Sequence, residues 1–238
     1  MNLKTIITTL AASAILFSSC GDSGSDNSTI IFTDIVTLES IEPALTTFTF
    51  REKDNSPEIT LVYRDDINKN LPQKPFKENT RVAISYTTET NKHYVNSVIS
   101  LLAATNIYGG GEEVPVVKRQ GMSDFDSSPV NLNSLWRTGE YINAIFTAIS
   151  SPNPKKCVMN VDEETINDEY PKIHIIFQPD ESLELKQYGV YMSYSVAELF
   201  ARPGCKGVEV FFNDPNQKQK SVTFKKTDGS FTPSTPTL

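Results

Sequence analysis

The chain has 238 residues, of which 38% are hydrophobic and 10% aromatic, and its formal net charge is −7. This hydrophobic content supports packed cores and argues against a disordered chain. The acidic charge disfavours nucleic acid as a partner, because phosphate backbones would repel it. At about 100 to 200 residues per domain, the length predicts one large or two small domains.

Residues 1–19 have the pattern of a secretory signal peptide. Lys4 precedes an apolar run from Ile6 to Phe17. That run is about 12 residues long, whereas a membrane-spanning helix needs roughly 20. We therefore expect a cleaved signal rather than a retained transmembrane anchor.

Cys20 is the predicted lipidation site. It follows Ser18 and Ser19, as in the lipobox cleaved by lipoprotein signal peptidase, where the thiol receives a diacylglyceryl group before it becomes the new N-terminus. The Gly-, Ser- and Asp-rich residues 20–28 are typical of a flexible tether. The alternative is a buried cysteine at the end of a core helix. Acyl chains on Cys20 predict a cell-envelope protein, with the outer membrane as the expected site on either its periplasmic or its surface face.

Residues 29–124 alternate apolar and polar side chains with a period of two. Turn-forming groups separate the apolar stretches, so we expect a small barrel or sandwich. Between residues 109 and 131 the chain is rich in breakers, with Gly109–Gly111 predicted as a flexible hairpin tip and a domain boundary at 124/125. The predicted strands are Thr29–Leu38, Thr46–Phe50, Ile59–Tyr63, Arg81–Tyr86, Tyr94–Val98 and Val114–Lys118.

Residues 125–238 predict an antiparallel β-sandwich. Trp136 is expected in its core. Ser195 and Glu198 have the spacing of a capping box, which favours a short helix before Pro203. The predicted strands are Lys172–Gln178, Tyr188–Tyr194, Val208–Phe212 and Ser221–Lys225.

Two cysteines remain once Cys20 is lipidated. In an oxidising compartment Cys157 and Cys205 could form a disulfide, which would close a loop of roughly 50 residues and stabilise the fold by about 4 kcal/mol. The alternative is two separately buried thiols, since Cys157 lies in the apolar stretch Cys157–Met159.

Several stretches resemble the NigD-like lipoproteins of Bacteroidetes. They are the lipoprotein signal and the four segments 34–38, 80–86, 135–143 and 172–177. The resemblance implies an all-β protein with an N-terminal OB-like barrel, here residues 29–124, and a C-terminal β-sandwich, here residues 125–238. It implies no catalytic residues. The family name is linked to a bacteriocin operon, which suggests an immunity role for one member.

No catalytic or metal-binding motif stands out. The two histidines are His93, expected at a solvated turn, and His174, expected to be a satisfied histidine of the interior or of a sheet face. No G-x-S-x-G elbow, C-x-x-C pair or H-E-x-x-H helix is present. The acidic stretch 162–169 lacks the spacing of a calcium loop. We therefore predict no cofactor, no metal and no enzymatic activity.

Aromatic residues are the remaining candidates for binding. Tyr63, Tyr86, Tyr94 and Tyr108 could line the binding face of an OB-like barrel, and ordinary strand packing is the alternative. The sequence thus predicts an acyl-anchored, non-catalytic binding module of the envelope, whose ligand is a protein, a toxin or a glycan. A bacteriocin immunity or envelope-protection protein is the second hypothesis, and a glycan-active enzyme the third.

Overall fold

The computed structural model describes residues 29–226 except for residues 53, 55, 70–74, 120–121, 151–152 and 181–185. The predicted signal peptide, Cys20 and the tether lie outside the described residues. Within the described part of the chain, no helix is long and apolar enough to cross a membrane.

The first five strands form a closed barrel. Their order is β1-β2-β3-β5-β4, and β4 pairs back onto β1. Neighbours are antiparallel except β3 and β5, which run parallel. Alternate residues such as Leu38, Phe48 and Phe50 fill the interior, as the period-two pattern requires. The predicted OB-like barrel is confirmed. Its strands are β1 (Phe32–Glu42), β2 (Leu45–Phe50), β3 (Ile59–Tyr63), β4 (Thr80–Thr88) and β5 (Ser97–Asn106).

The remaining strands form the two sheets of a sandwich. One sheet has the order β13-β12-β10-β9-β6 and the other β11-β8-β7. Their facing sides enclose a second core, with Phe146 and Phe177 at 5.8 Å in an edge-to-face arrangement. The strands are β6 (Val116–Val117), β7 (Asn131–Thr138), β8 (Tyr141–Ser150), β9 (Lys156–Asp162), β10 (Lys172–Gln178), β11 (Lys186–Ser195), β12 (Gly207–Phe211) and β13 (Ser221–Lys225).

The sandwich differs from the prediction in strand direction and in where it begins. β10 pairs with β12 in parallel, as β6 does with β9, so the larger sheet is mixed rather than purely antiparallel. Tyr108 and Glu113 bridge to β11. The chain therefore leaves the barrel just after Asn106, earlier than the predicted boundary at 124/125.

The α-helix found among the described residues, α1 (Ala197–Ala201), lies close to its predicted position, but the capping box does not form. Ser195 Oγ accepts a hydrogen bond from the Ala197 N–H at 3.2 Å. The Glu198 N–H donates to the Glu113 carboxylate at 2.9 Å. A residue from the connecting segment thus replaces the expected local cap.

Cys157 and Cys205 are buried free thiols, so the disulfide alternative is wrong and the alternative of two separate thiols holds. Cys157 lies in β9 among core residues, where burial raises the pKa of its thiol to about 12. The Cys205 thiol donates to the Gly207 carbonyl at 3.3 Å. Each sulfur is held in its own packing environment.

Candidate binding cleft

Arg81, on β4, joins the barrel to the sandwich. Its side chain is buried, and its guanidinium donates to Ser193 Oγ and Asn143 Oδ1 of the sandwich and to Thr37 Oγ1 and the Ile35 carbonyl of the barrel, at 3.1 to 3.3 Å. Desolvation lowers the pKa of Arg81 to about 10, so the group stays charged at neutral pH. This part of the junction between the two domains is closed to solvent, and the Arg81 cation in it is hydrogen-bonded to neutral oxygens.

The glycine-rich segment passes through the same closed part. Gly110 accepts a backbone hydrogen bond from Arg81, and Gly111 donates one to Ser193. Gly109 has φ +79°, and a Cβ there would lie 2.5 Å from the Ser193 carbonyl oxygen. Only glycine fits such an approach. The expected flexible hairpin tip is therefore a tightly packed connection between the domains.

A second link holds the loop between β2 and β3 against the sandwich. The Asp54 carboxylate accepts hydrogen bonds from the Arg137 guanidinium and from the Gly139 N–H. Both side chains are almost fully buried. The two domains are thus fixed at two separate places along their junction.

An open cleft lies along this junction. It encloses about 110 Å³, less than the roughly 300 Å³ at which small-molecule pockets begin, so it would hold only part of a ligand. Both domains contribute aromatic rings, and the barrel contributes charged groups. The cleft is lined by Thr33, Asp34, Ile35, Phe50, Arg51, Glu52 and Tyr94 from the barrel and by Trp136, Thr138 and Ile145 from the sandwich.

Asp34 is the central polar group of the cleft wall. Its carboxylate accepts a hydrogen bond from the Tyr86 hydroxyl and lies 2.8 Å from His93 Nε2. Burial, followed by the nearby Asp34 charge, raises the pKa of Tyr86 well above its usual value, so the phenol remains a donor. His93 is stacked between Phe32 and Tyr94, with centroid distances of 4.5 and 3.7 Å. His93 is therefore part of an ordered cluster, not the solvated turn residue predicted from the sequence.

Tyr94 combines exposure with an unusual backbone. It is 43% exposed and has φ +55°, a conformation that is costly for a bulky side chain and concentrates at functional positions. Burial, and then the charges of Asp34 and Glu52, raise the pKa of its phenol. The ring is presented to the cleft as a neutral, rigid surface.

The four predicted tyrosines do not share one face. Tyr86 and Tyr94 meet through Asp34 and His93, whereas Tyr63 packs against the barrel core and Tyr108 against the sandwich core. Trp136 is half-buried and lines the cleft instead of the sandwich core. Asp34 and Trp136 could not be predicted as cleft residues from the sequence, because they come together only when the two domains dock.

His174 has surroundings of a different kind. It stacks on Phe211 with centroids 5.0 Å apart, and Phe125 lies at 4.7 Å. Its Nε2 is buried without a hydrogen-bond partner among the described residues, and burial lowers its pKa. The sheet-face position agrees with the prediction for His174, but the expectation that the ring is fully hydrogen-bonded is wrong for Nε2.

Groups suited to a metal ion are not assembled in the described ranges, where no cluster of three His, Cys, Asp or Glu side chains occurs. The Asp162 carboxylate is instead paired with Arg119 at 2.8 Å. Burial raises the pKa of Asp162, but hydrogen bonds from Arg119 and the Glu164 N–H outweigh burial and leave it lowered.

Known proteins match this chain by structure and not by sequence. No protein-family model matches, and neither does any curated protein. A protein of unknown function from Bacteroides vulgatus superposes with a TM-score of 0.56 at 16% identity, covering 87% of this chain and 97% of its own. A NigD-like immunity protein from Bacteroides caccae gives a TM-score of 0.50 at 16% identity, covering 81% and 91%. At this identity the likeness shows the fold alone, and at that level the resemblance to NigD-like proteins is confirmed.

Proposed function

We propose that this chain, which has the fold of a NigD-like protein, is an acyl-anchored lipoprotein of the cell envelope that binds its ligand in the cleft between its two domains. The observation that carries the proposal is the meeting of Tyr94 and Trp136, one from each domain, in a single cleft. Partly exposed aromatic rings held in place by their neighbours often dominate binding at protein interfaces.

The cleft is suited to binding because it is rigid on both sides. The Arg81 hydrogen bonds and the Asp54–Arg137 pair fix the domains in place. Tyr94 is held by His93, which is held in turn by Asp34. Little conformational entropy is lost when a ligand meets side chains that are already ordered.

The role is non-catalytic on this proposal. Asp34 is engaged by both Tyr86 and His93. In the described part of the chain, the hydrogen bond of the His93 ring is with Asp34, and no hydroxyl or thiol is bonded to the ring as a nucleophile would be. Asp34 and Glu52 do line one cleft, so a glycan hydrolase is the enzymatic hypothesis to test against it.

The anchor is tested by metabolic labelling of the full chain with an alkyne fatty acid. We expect label on the wild-type protein and none on Cys20→Ala. Labelling of both proteins, or of neither, would contradict the predicted lipidation of Cys20.

The binding site is tested with the full chain as bait for envelope proteins and on a glycan array. We expect a saturable ligand that is lost in Trp136→Ala and kept in Tyr188→Ala, since Tyr188 is a half-buried tyrosine outside the cleft lining. Equal binding by both variants would place the site elsewhere. Glycan cleavage that is abolished in Glu52→Gln would favour the enzymatic hypothesis.

The alternative of an immunity protein makes its own prediction. The NigD-like immunity protein from Bacteroides caccae has this fold, and for this chain the same role would mean that the cleft binds a toxin. Deletion of the gene would then sensitise the cells to that toxin, and Trp136→Ala would fail to restore protection whereas Tyr188→Ala would restore it.

A further inference from the structure

One end of the barrel collects exposed apolar side chains. Among the described residues seven large apolar side chains are exposed, and four of them belong to two short segments: Ile30 and Ile31 at 47% each, Tyr94 at 43% and Val95 at 37%. The other three, Leu102, Val116 and Ile149, lie in β5, β6 and β8.

Direct contacts join the two segments. The Ile30 N–H donates to Asn91 Oδ1 at 3.2 Å. Phe32, next to Ile31, stacks on His93, which stacks on Tyr94. The apolar side chains therefore belong to one end of the barrel, which we call the tether end: Ile30, Ile31, Tyr94 and Val95.

The tether end is where the chain enters the barrel from the proposed acyl anchor. Residues 21–29 separate Cys20 from Ile30, and nine residues span at most about 30 Å when fully extended. The tether end is thus the part of the body that the anchor holds nearest to the lipid.

The charge around the tether end is also compatible with a position close to the lipid. The rest of the protein is acidic, with −8 left when Lys4 is removed with the signal. In the turn that carries Tyr94 and Val95, however, Glu89 is balanced by Lys92. The carboxylates nearest Tyr94 are Glu52 and Asp34, and Asp34 is bonded by Tyr86 and His93. A turn whose own charges cancel and whose apolar side chains protrude can enter the headgroup region of a zwitterionic lipid surface, which does not repel these two carboxylates.

We propose that the tether end rests against the lipid surface, with Ile30, Ile31 and Val95 inserted among the headgroups. This inference rests on the proposed acyl anchor. Because Tyr94 borders both the tether end and the cleft, the cleft opens beside the membrane, and its ligand is met there.

The test uses the full, acylated chain in phosphatidylcholine vesicles. A polarity-sensitive fluorophore is attached through Val95→Cys or through Ile149→Cys, which is 66% exposed and serves as the matched control. Cys157 and Cys205 are buried, so the folded wild type should take up no label. Nitroxide-bearing lipids then report which position touches the bilayer.

We expect severalfold stronger quenching, with a blue-shifted emission, at position 95 than at position 149. A second label through Ile31→Cys should behave like the first, which guards against damage to the turn by either substitution. Flotation of the protein with the vesicles but equal quenching at all positions would overturn the orientation alone. Failure to float would overturn the acyl anchor and the orientation with it.

Discussion

The junction between the two domains has a closed part around Arg81 and an open part around Tyr94 and Trp136. In the closed part a buried cation meets four oxygens from both domains, and Gly109 passes against the Ser193 carbonyl. In the open part rings from both domains face a cleft. The difference indicates two separate roles. The closed part fixes the position of one domain against the other, and the open part presents a surface to a ligand.

Removing the Arg81 side chain should have the largest effect on stability. Arg81→Ala removes the side-chain donor to the Ile35 carbonyl and one of the two donors to Asn143 Oδ1, which then keeps only its bond from Ser193 Oγ. Because these oxygens are buried, we expect the free energy of unfolding to fall by about 3 kcal/mol. The measurement is denaturant unfolding followed by tryptophan fluorescence.

Arg51→Ala is the matched control for Arg81. Its salt bridge to Glu58 is exposed on both sides, so its loss should lower the free energy of unfolding by less than about 1 kcal/mol. Equal effects of the two substitutions would mean that Arg81 does not hold the closed part together.

A methyl group at Gly109 should also disrupt the closed part. Gly109→Ala places a Cβ against the Ser193 carbonyl at a positive φ, and we expect a loss of about 2 kcal/mol. Gly204 has φ +83° but open space around its Cβ, so Gly204→Ala should lose only about 1 kcal/mol for its backbone conformation. Thermal unfolding compares the two variants, and a smaller loss at Gly109 would argue against the tight connection.

Substitutions in the open part should change the affinity for the ligand rather than the free energy of unfolding. Tyr94→Gly relieves the positive φ and removes the ring, so the free energy of unfolding should change by less than about 1 kcal/mol. Affinity for the ligand of the cleft should fall about 30-fold, as expected for an aromatic hot spot. A large loss of stability with unchanged affinity would reverse the roles assigned to the two parts.

His174 offers a comparison with the cleft histidine, since both are stacked on aromatic rings. Burial lowers the pKa of His174, so the unfolded chain binds its proton more readily. The stabilising contribution of neutral His174 is present above about pH 6.5 and is lost as the pH falls below that value.

His174→Phe should therefore flatten the pH dependence of the free energy of unfolding below about pH 6.5. The change in slope should be at most about 1.4 kcal/mol per pH unit. Chemical unfolding at several pH values measures it, and identical slopes in the two proteins would contradict the lowered pKa of His174.

The sequence predicts the strands better than it predicts the cleft. β10 and β13 have the predicted bounds, because their alternating side chains face a sheet core on one side. β9 was not predicted, and neither was most of β5. The strand predicted to begin at Tyr94 begins only at Ser97, because Tyr94 lies in a turn and has a positive φ.

The cleft could not be predicted because its walls come from separate domains. Asp34 and Trp136 belong to strands that never pair, and they meet only through docking around Arg81. The buried cation itself carries no local pattern that distinguishes it from a surface arginine of a strand. Period-two alternation predicts which residues face a core, but not which face of one domain meets another.

The central claim is that the open part of the junction is where the ligand binds, and photo-crosslinking in intact cells tests it most directly. p-Benzoylphenylalanine would replace Trp136 in the full chain, with replacement of Tyr188 as the matched position outside the cleft. We predict light-dependent adducts at position 136 and none at position 188. Adducts at position 188 alone, equal adducts at both positions, or none at either would contradict the account.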